Sequence, residues 1–324
     1  MLFSKIILKI VKLLRYLPVI NSIHISAMKF KVAEHIFEIE GVELYDVVAD
    51  KLEGPYGPFM VDSGSVSDDM LFSLTLCDEV QNEDAELVYS NKDSVEQGFI
   101  VLSVYKNESG HYFEFTQPGL EVVNGCLWIS TDYSQAKMSL AGSELAQWLT
   151  FNTGVNFCFL LATAKHDTVL AHSSCVVYKD KAYLFLGKSG TGKSTHSRMW
   201  LNALENVVLM NDDHPVIRVN EDGQAIAYGS PWSGKTPCYK NMQAPIGGII
   251  RIVRAPYNKA RRLSIIESYA SLMTSFSGMT WEKDLADGRD KTIQGIIKSV
   301  PCWAMECLPD VDAARVCSKA VAEV

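Results

Sequence analysis

The hydrophobic pattern changes character along the chain. In the first twenty positions Phe3, Ile6, Ile7, Ile10, Leu13, Leu14 and Leu17 recur at helical spacing, while Lys5, Lys9 and Lys12 fall together on the other side with Arg15 nearby. This spacing predicts a basic amphipathic helix over residues 1–27. Charges interrupt the apolar run, so the segment does not read as a membrane span. It also lacks the block order and small-residue cleavage site of a signal peptide. Such a helix either packs on its own domain or, through residues 2–20, lies on a membrane surface or docks a partner.

From residue 28 to about 142 the pattern turns to short alternating runs, which predicts a β-rich domain. Phe99-Ile100-Val101-Leu102-Ser103-Val104-Tyr105 and His111-Tyr112-Phe113-Glu114-Phe115 flank Lys106-Asn107-Glu108-Ser109-Gly110, a hairpin with a glycine-containing loop. Glu121-Val122-Val123 and Cys126-Leu127-Trp128-Ile129 flank Asn124-Gly125, a strong two-residue hairpin signal. Residues 35–42 read as a further strand, Gly54-Pro55-Tyr56-Gly57-Pro58 as a turn, and residues 61–69 as a polar loop.

A second domain is expected over residues 143–324. It opens with a helix over residues 143–164, weakened in its middle by Asn152-Thr153-Gly154. Strands at Cys175-Val176-Val177-Tyr178 and Ala182-Tyr183-Leu184-Phe185-Leu186 then pair across a short Lys179-Asp180-Lys181 turn. Residues 195–204 can form a helix, 216–219 a strand, and Glu221-Asp222-Gly223 a turn. A buried strand over 246–253, helices over 264–276 and 291–299, a strand over 303–308 and a closing helix over 311–322 complete an α/β arrangement. With the mostly β first domain, the chain as a whole is α+β.

Composition narrows the function. The chain has 324 residues, enough for two domains with their own cores. It is 48% hydrophobic and 21% charged, as globular proteins are. A formal net charge of −8 argues against a general nucleic-acid binder. The 8 cysteines include no C-x-x-C pair and several lie in apolar runs, so neither a disulfide framework nor a zinc site is expected and a reducing cytoplasm is the default compartment.

The chemistry concentrates in Gly187-Lys188-Ser189-Gly190-Thr191-Gly192-Lys193-Ser194, which fits G-x-x-x-x-G-K-[ST] between an apolar strand and a helix beginning near Thr195. Glycines let backbone N–H groups close around phosphate oxygens, the lysine reaches the β/γ-phosphates, and the serine hydroxyl holds Mg²⁺. ATP and Mg²⁺ are the expected cofactors. Downstream, the apolar run Val207-Val208-Leu209-Met210 ends in Asn211-Asp212-Asp213-His214. Paired acids at a strand end suit a metal ligand beside a proton acceptor, and which of Asp212 and Asp213 takes which role is left open. His172 precedes the strand pair that delivers the loop, and the chain can return it to the phosphate end of the site. Gly229-Ser230-Pro231-Trp232-Ser233-Gly234-Lys235 reads equally as a substrate loop, with Trp232 and Lys235 as contacts, or as a plain surface turn.

Together His172-Ser173-Ser174, the loop in its G-x-S-G-x-G-K-S form and Asp212-Asp213 make the second domain resemble HPr kinase/phosphorylase. It is more distantly similar to ATP-dependent phosphoenolpyruvate carboxykinase, whose G-D-D-E-H run resembles Asn211-Asp212-Asp213-His214 without the glutamate. The resemblance covers residues 170–255 best. It implies a kinase-type P-loop domain, an ATP-dependent transfer to a serine hydroxyl on a peptide, a protein or free serine, and assembly into oligomers. It further implies that Lys193 binds the β/γ-phosphates, that Ser194 holds Mg²⁺, that Asp212 and Asp213 share the base and metal roles, and that His172 sits beside the γ-phosphate. Where HPr kinases carry E-x-R-G-[LI]-G, this chain has Met242-Gln243-Ala244-Pro245-Ile246-Gly247-Gly248, without the acid or the arginine. HPr itself is therefore not implied as the acceptor. Arg251 and Arg254 on the following strand could supply the charge, Arg251 as a substrate contact.

Overall fold

The computed structural model describes residues 27–62, 70–82, 84–93, 100–117, 122–234, 236–279 and 281–322. The expected basic helix, the greater part of the polar loop at 61–69 and Lys235 lie outside the described residues. The chain forms a β-rich sheet in its N-terminal part and an α+β region in its C-terminal part. Contacts divide it into two compact units, one of residues 27–30 with Ile36–Cys158, the other of Lys31–His35 with residues 159–322. The division falls inside a single helix, Glu144–Thr163. Among the described residues no helix is long and apolar enough to cross a membrane.

The first sheet, in the first unit but for Lys31, Val32 and His35, holds β1 (Met28–Val32), β2 (His35–Glu40), β3 (Met60–Val61), β4 (Met70–Leu76), β5 (Glu86–Ser90), β6 (Val101–Asn107), β7 (Gly110–Gln117), β8 (Val122–Ser130) and β9 (Gln135–Leu140). They join in the order β3-β1-β2-β4-β9-β8-β7-β6-β5. Burial alternates along β2, β4 and β7, the signature of a sheet with one face in a core. Phe30, Phe37 and Phe72 stack in series on that face, with ring centroids 5.5 and 4.9 Å apart.

Gly54-Pro55-Tyr56-Gly57-Pro58 is not a plain turn but lies in the helical segments Glu53–Tyr56 and Gly57–Phe59, which Pro55 and Pro58 can enter near their first turns. Two further local expectations turn on glycine. Asn124-Gly125 is not a hairpin turn but the interior of β8, which pairs with β7 on one side and β9 on the other. A Cβ at Gly125 would lie 2.4 Å from the Ser139 carbonyl oxygen, so glycine serves close strand approach rather than reversal. The helix Glu144–Thr163 likewise runs unbroken through Asn152-Thr153-Gly154. A Cβ at Gly154 would lie 2.1 Å from Met138 Cε, so the missing side chain makes room for core packing that offsets the low helix propensity.

The second unit is built on β10 (Thr168–Leu170), β11 (Ser173–Tyr178), β12 (Lys181–Leu186), β13 (Val208–Asn211), β14 (Val216–Val219), β15 (Ala225–Tyr228), β16 (Gln243–Arg254), β17 (Lys259–Arg262) and β18 (Cys302–Cys307). β11 and β12 form the expected hairpin, with Lys179 and Asp180 both at positive φ (49° and 59°) as its two-residue turn requires. β12 pairs in parallel with β16, and β16 with β18. β12 is buried at every position after Lys181, as a strand covered on both faces must be. Leu184, Leu186 and Ile249 pack with Ile293 and Ile296 of helix Lys283–Ser299. Tyr183, Phe185 and Ile250 pack with Trp200 of helix Lys193–Ala203 and Cys317 of helix Val311–Ala322. The parallel strands therefore end together at one rim, where open α/β sheets bind ligands.

Candidate functional site

The rim carries the glycine-rich loop of residues 187–194, between β12 and helix Lys193–Ala203. Gly190 and Gly192 take φ of 75° and 111°, a region that side chains disfavour. The turn closes on itself, as Thr191 donates to the Lys188 carbonyl from its backbone N–H (3.1 Å) and its hydroxyl (2.8 Å). A Cβ at Gly187 would lie 2.5 Å from Thr191 Oγ1, so the tight turn admits only glycine there. Lys188, Ser189 and Gly190 are exposed, while Ser194 and Thr195 are half-buried in the first helical turn, whose free N–H groups favour anions.

Lys193 turns back toward the loop. Its ammonium donates to the Gly187 carbonyl (3.0 Å) and to His172 Nε2 (2.8 Å). The imidazole must then be neutral and protonated at Nδ1, which faces Asp213 Oδ1 at 3.3 Å. His214 Nδ1 approaches the other oxygen, Asp213 Oδ2, at 3.2 Å. The result is a continuous row Lys193–His172–Asp213–His214. Burial and the Lys193 charge lower the His172 pKa, against an upward pull from Asp213. Burial also lowers the Lys193 pKa, opposed by Asp213 and Asp212. At Asp213 burial pushes upward, but the His214 hydrogen bond and the charges of His214, His172 and Lys193 bring the net shift down. His172, Asp213 and His214 each offer a ligand atom within 4.8 Å of the others, so the three could hold a metal ion.

Asp212 faces a different environment. It is buried, and its Oδ1 accepts from Ser174 Oγ at 2.6 Å, which in turn lies 2.5 Å from Ser197 Oγ. The Asp-Asp turn is held by Asn211. Its Oδ1 accepts from the N–H groups of Asp213 and His214, both at 2.9 Å, and its Nδ2 donates to Ser230 Oγ and the Trp232 carbonyl, both at 3.1 Å. Gly234 lies against Asp213, where a Cβ would come within 3.2 Å of the aspartate's own Cβ.

The structure thus brings Lys193, His172 and Asp213 together, with Asp212 on the adjoining serines. It does not bring Trp232 to an open surface: the indole is buried, with its ring 5.1 Å from Phe159. Arg251 is turned to the last turn of helix Ile265–Met273 and the loop after it, donating to Ser271 Oγ and the Ser271 carbonyl (both 2.6 Å) and to Thr274 Oγ1 (2.7 Å). Burial lowers its pKa. That loop has a bearing on the site, because the Ser275 carbonyl accepts from the His172 N–H at 2.7 Å.

From sequence, Ser197 had no place in the site, Ser174, Asn211 and His214 entered only as members of the motifs, and Arg254 only as a possible source of positive charge. Asn211 and His214 were signalled by adjacency to the paired acids; Ser197 gave no local signal. Arg254, at the end of β16, donates to the Gly190 carbonyl and borders a groove of about 580 Å³ beside the loop. Thr191, Thr195, Met199, Ile252 and Pro256 also line it.

Among solved structures, the chain matches the structure of the HPr(Ser) kinase/phosphatase from Coxiella burnetii at 15% identity, over 48% of this chain and 94% of that one, with a TM-score of 0.28. No family model matches the chain, and no curated protein does.

Proposed function

We propose that residues 143–324 form an ATP- and Mg²⁺-dependent phosphotransferase domain of the HPr kinase/phosphoenolpyruvate carboxykinase type, moving the γ-phosphate to the hydroxyl of a serine in a peptide or protein. The observation that carries this reading is the setting of Lys193. Its half-buried ammonium has two neutral hydrogen-bond partners, the Gly187 carbonyl and a neutral His172, and no carboxylate in salt-bridge contact among the described residues. A phosphate group at the mouth of the glycine-rich loop supplies the charge it lacks. The groove beside Arg254 has the size and mixed lining of a small-molecule site and takes the nucleoside.

Mg²⁺ prefers oxygen ligands in octahedral array. Two imidazoles and one carboxylate suit a transition ion better. The oxygen donors that fit Mg²⁺ are Ser194, Asp213 and Asp212, and the ion when bound neutralises charge on the transferring phosphate. Asp213, shared between two imidazoles, takes the ligand role. Asp212 keeps one oxygen fixed by Ser174 and offers the other to the attacking hydroxyl as base. His172 orients both Lys193 and Asp213.

The test is incubation of the pure chain with γ-labelled ATP, Mg²⁺ and a dephosphorylated lysate. The reading expects label on serine, lost in Lys193→Ala and in Asp212→Asn. Full transfer by both variants contradicts it.

A further inference from the structure

Arg251 stands at the root of the glycine-rich loop. It lies on β16 opposite Leu186, the last residue of β12 before that loop begins. Its Nε donates to Ser271 Oγ (2.6 Å), and Nη2 serves the Ser271 carbonyl (2.6 Å), Thr274 Oγ1 (2.7 Å) and Ser275 Oγ (3.4 Å). A cation at a helix C-terminus commonly takes an orphan carbonyl and no more. Here the planar fork spans the last turn of helix Ile265–Met273 and the two residues past it. Bonds from a charged donor are roughly twice as strong as neutral ones, so segment 271–275 is fixed to the central strand of the sheet.

The segment so fixed is the one that holds His172. The His172 backbone N–H donates to the Ser275 carbonyl at 2.7 Å, Ala171 bridges Phe276 in antiparallel fashion, and the Ser277 N–H donates to the Leu170 carbonyl at 2.9 Å. On the other side, the N–H groups of Ala171 and Ser173 donate to the carbonyls of Pro215 (3.1 Å) and Asp213 (2.9 Å). The backbone of His172 is thus clamped between the turn that carries the acids and the segment that Arg251 holds. The imidazole spans Lys193 at 2.8 Å and Asp213 at 3.3 Å, a placement that depends on where this backbone lies.

We propose that Arg251 is a positioning residue for phosphate transfer, acting through the Ser275 carbonyl to hold His172 between Lys193 and Asp213. This role rests on the phosphotransfer reading above and replaces the substrate contact expected of Arg251 from sequence. The test is Arg251→Met in the full chain. Its kcat should fall roughly 10- to 100-fold, since a displacement of about 1 Å at a catalytic group costs that much. KM for ATP and for the acceptor should each change by less than about twofold. A raised acceptor KM at unchanged kcat overturns the proposal in favour of direct contact. Arg251→Met combined with His172→Ala should be scarcely slower than His172→Ala alone, because one residue acts through the other; losses that multiply in full overturn it. A further readout needs no activity. Hydrogen exchange at the His172 amide, without nucleotide, should quicken roughly tenfold in Arg251→Met. Unchanged exchange overturns the proposal even in a chain that transfers phosphate, whereas a wild-type chain that transfers none contradicts the phosphotransfer reading instead. Where Arg251→Met does not fold, Arg251→Lys, which keeps the charge without the fork, takes its place in the same measurements.

Discussion

The two sheets bury their polar groups unequally. In the first unit the core is made of Phe30, Phe37, Phe59, Phe72, Phe113 and Phe115, and His111, Asn124 and Thr150 are its buried polar residues. In the second, Ser173, Ser174, His196, Ser197, Asn211, Asp212, Ser230 and Arg289 are all buried, most of them next to the ends of β11, β12 and β13. The first sheet, mixed in strand direction and with one face in a core, needs only apolar matches across that face. A buried hydroxyl or carboxylate costs stability unless each polar atom is bonded, so a dense group of them is retained where it fixes geometry for chemistry. The difference separates a unit organised for folding from one that also holds the candidate site.

That contrast can be broken, starting with the largest effect. Lys193→Ala removes a cation at the glycine-rich loop whose hydrogen-bond partners are neutral, and phosphate transfer should fall on the order of 10³-fold with the fold intact by circular dichroism; a loss below tenfold breaks the contrast. Phe37→Ala in the first sheet should do the reverse. It should cost about 3–5 kcal/mol in urea unfolding while leaving the transfer rate per folded molecule unchanged. Ser174→Ala sits between them, removing a hydrogen bond to the Asp212 carboxylate. Transfer should drop roughly 10- to 100-fold with a smaller loss of stability, and an unchanged rate would detach Asp212 from the chemistry.

Acidification sharpens the comparison. Burial lowers the pKa of His196 to about 4, and burial together with the Arg218 and His166 charges lowers that of His35 to about 3. Both belong to the second unit. The unfolded chain binds protons at these residues below pH 6.5 while the folded chain does not, so their contribution to stability is present above about 6.5 and is lost as pH falls toward 4. Thermal midpoints measured across that window should decline, and His35→Gln with His196→Gln should flatten the decline. The smallest expected effect is at Gly234→Ala, where the added methyl presses on Asp213 and should reduce transfer by about three- to tenfold.

What the sequence made legible follows from range. The loop is one contiguous run whose spacing encodes its chemistry, and the paired acids at 212–213 close an apolar strand. Helix periods and strand alternation likewise showed the β-rich first part and the mix of helices and strands in the second. The rest depends on residues far apart. Ser174 and Asp212 are 38 positions apart and meet because β11 pairs with β13. Trp232 reads as an exposed loop aromatic until Phe159 is seen to cover it. Asn124-Gly125 reads as a turn because local propensity cannot register the neighbours on both sides of β8.

We propose that the glycine-rich loop and the acid–imidazole row act as one site through the 2.8 Å contact of Lys193 with His172. A double-mutant cycle on the rate of γ-phosphate transfer tests it most directly, using Lys193→Ala, His172→Ala and the pair. One shared site predicts that the double variant is scarcely slower than Lys193→Ala alone. Losses that multiply in full would mean that the two residues act independently and would contradict the account.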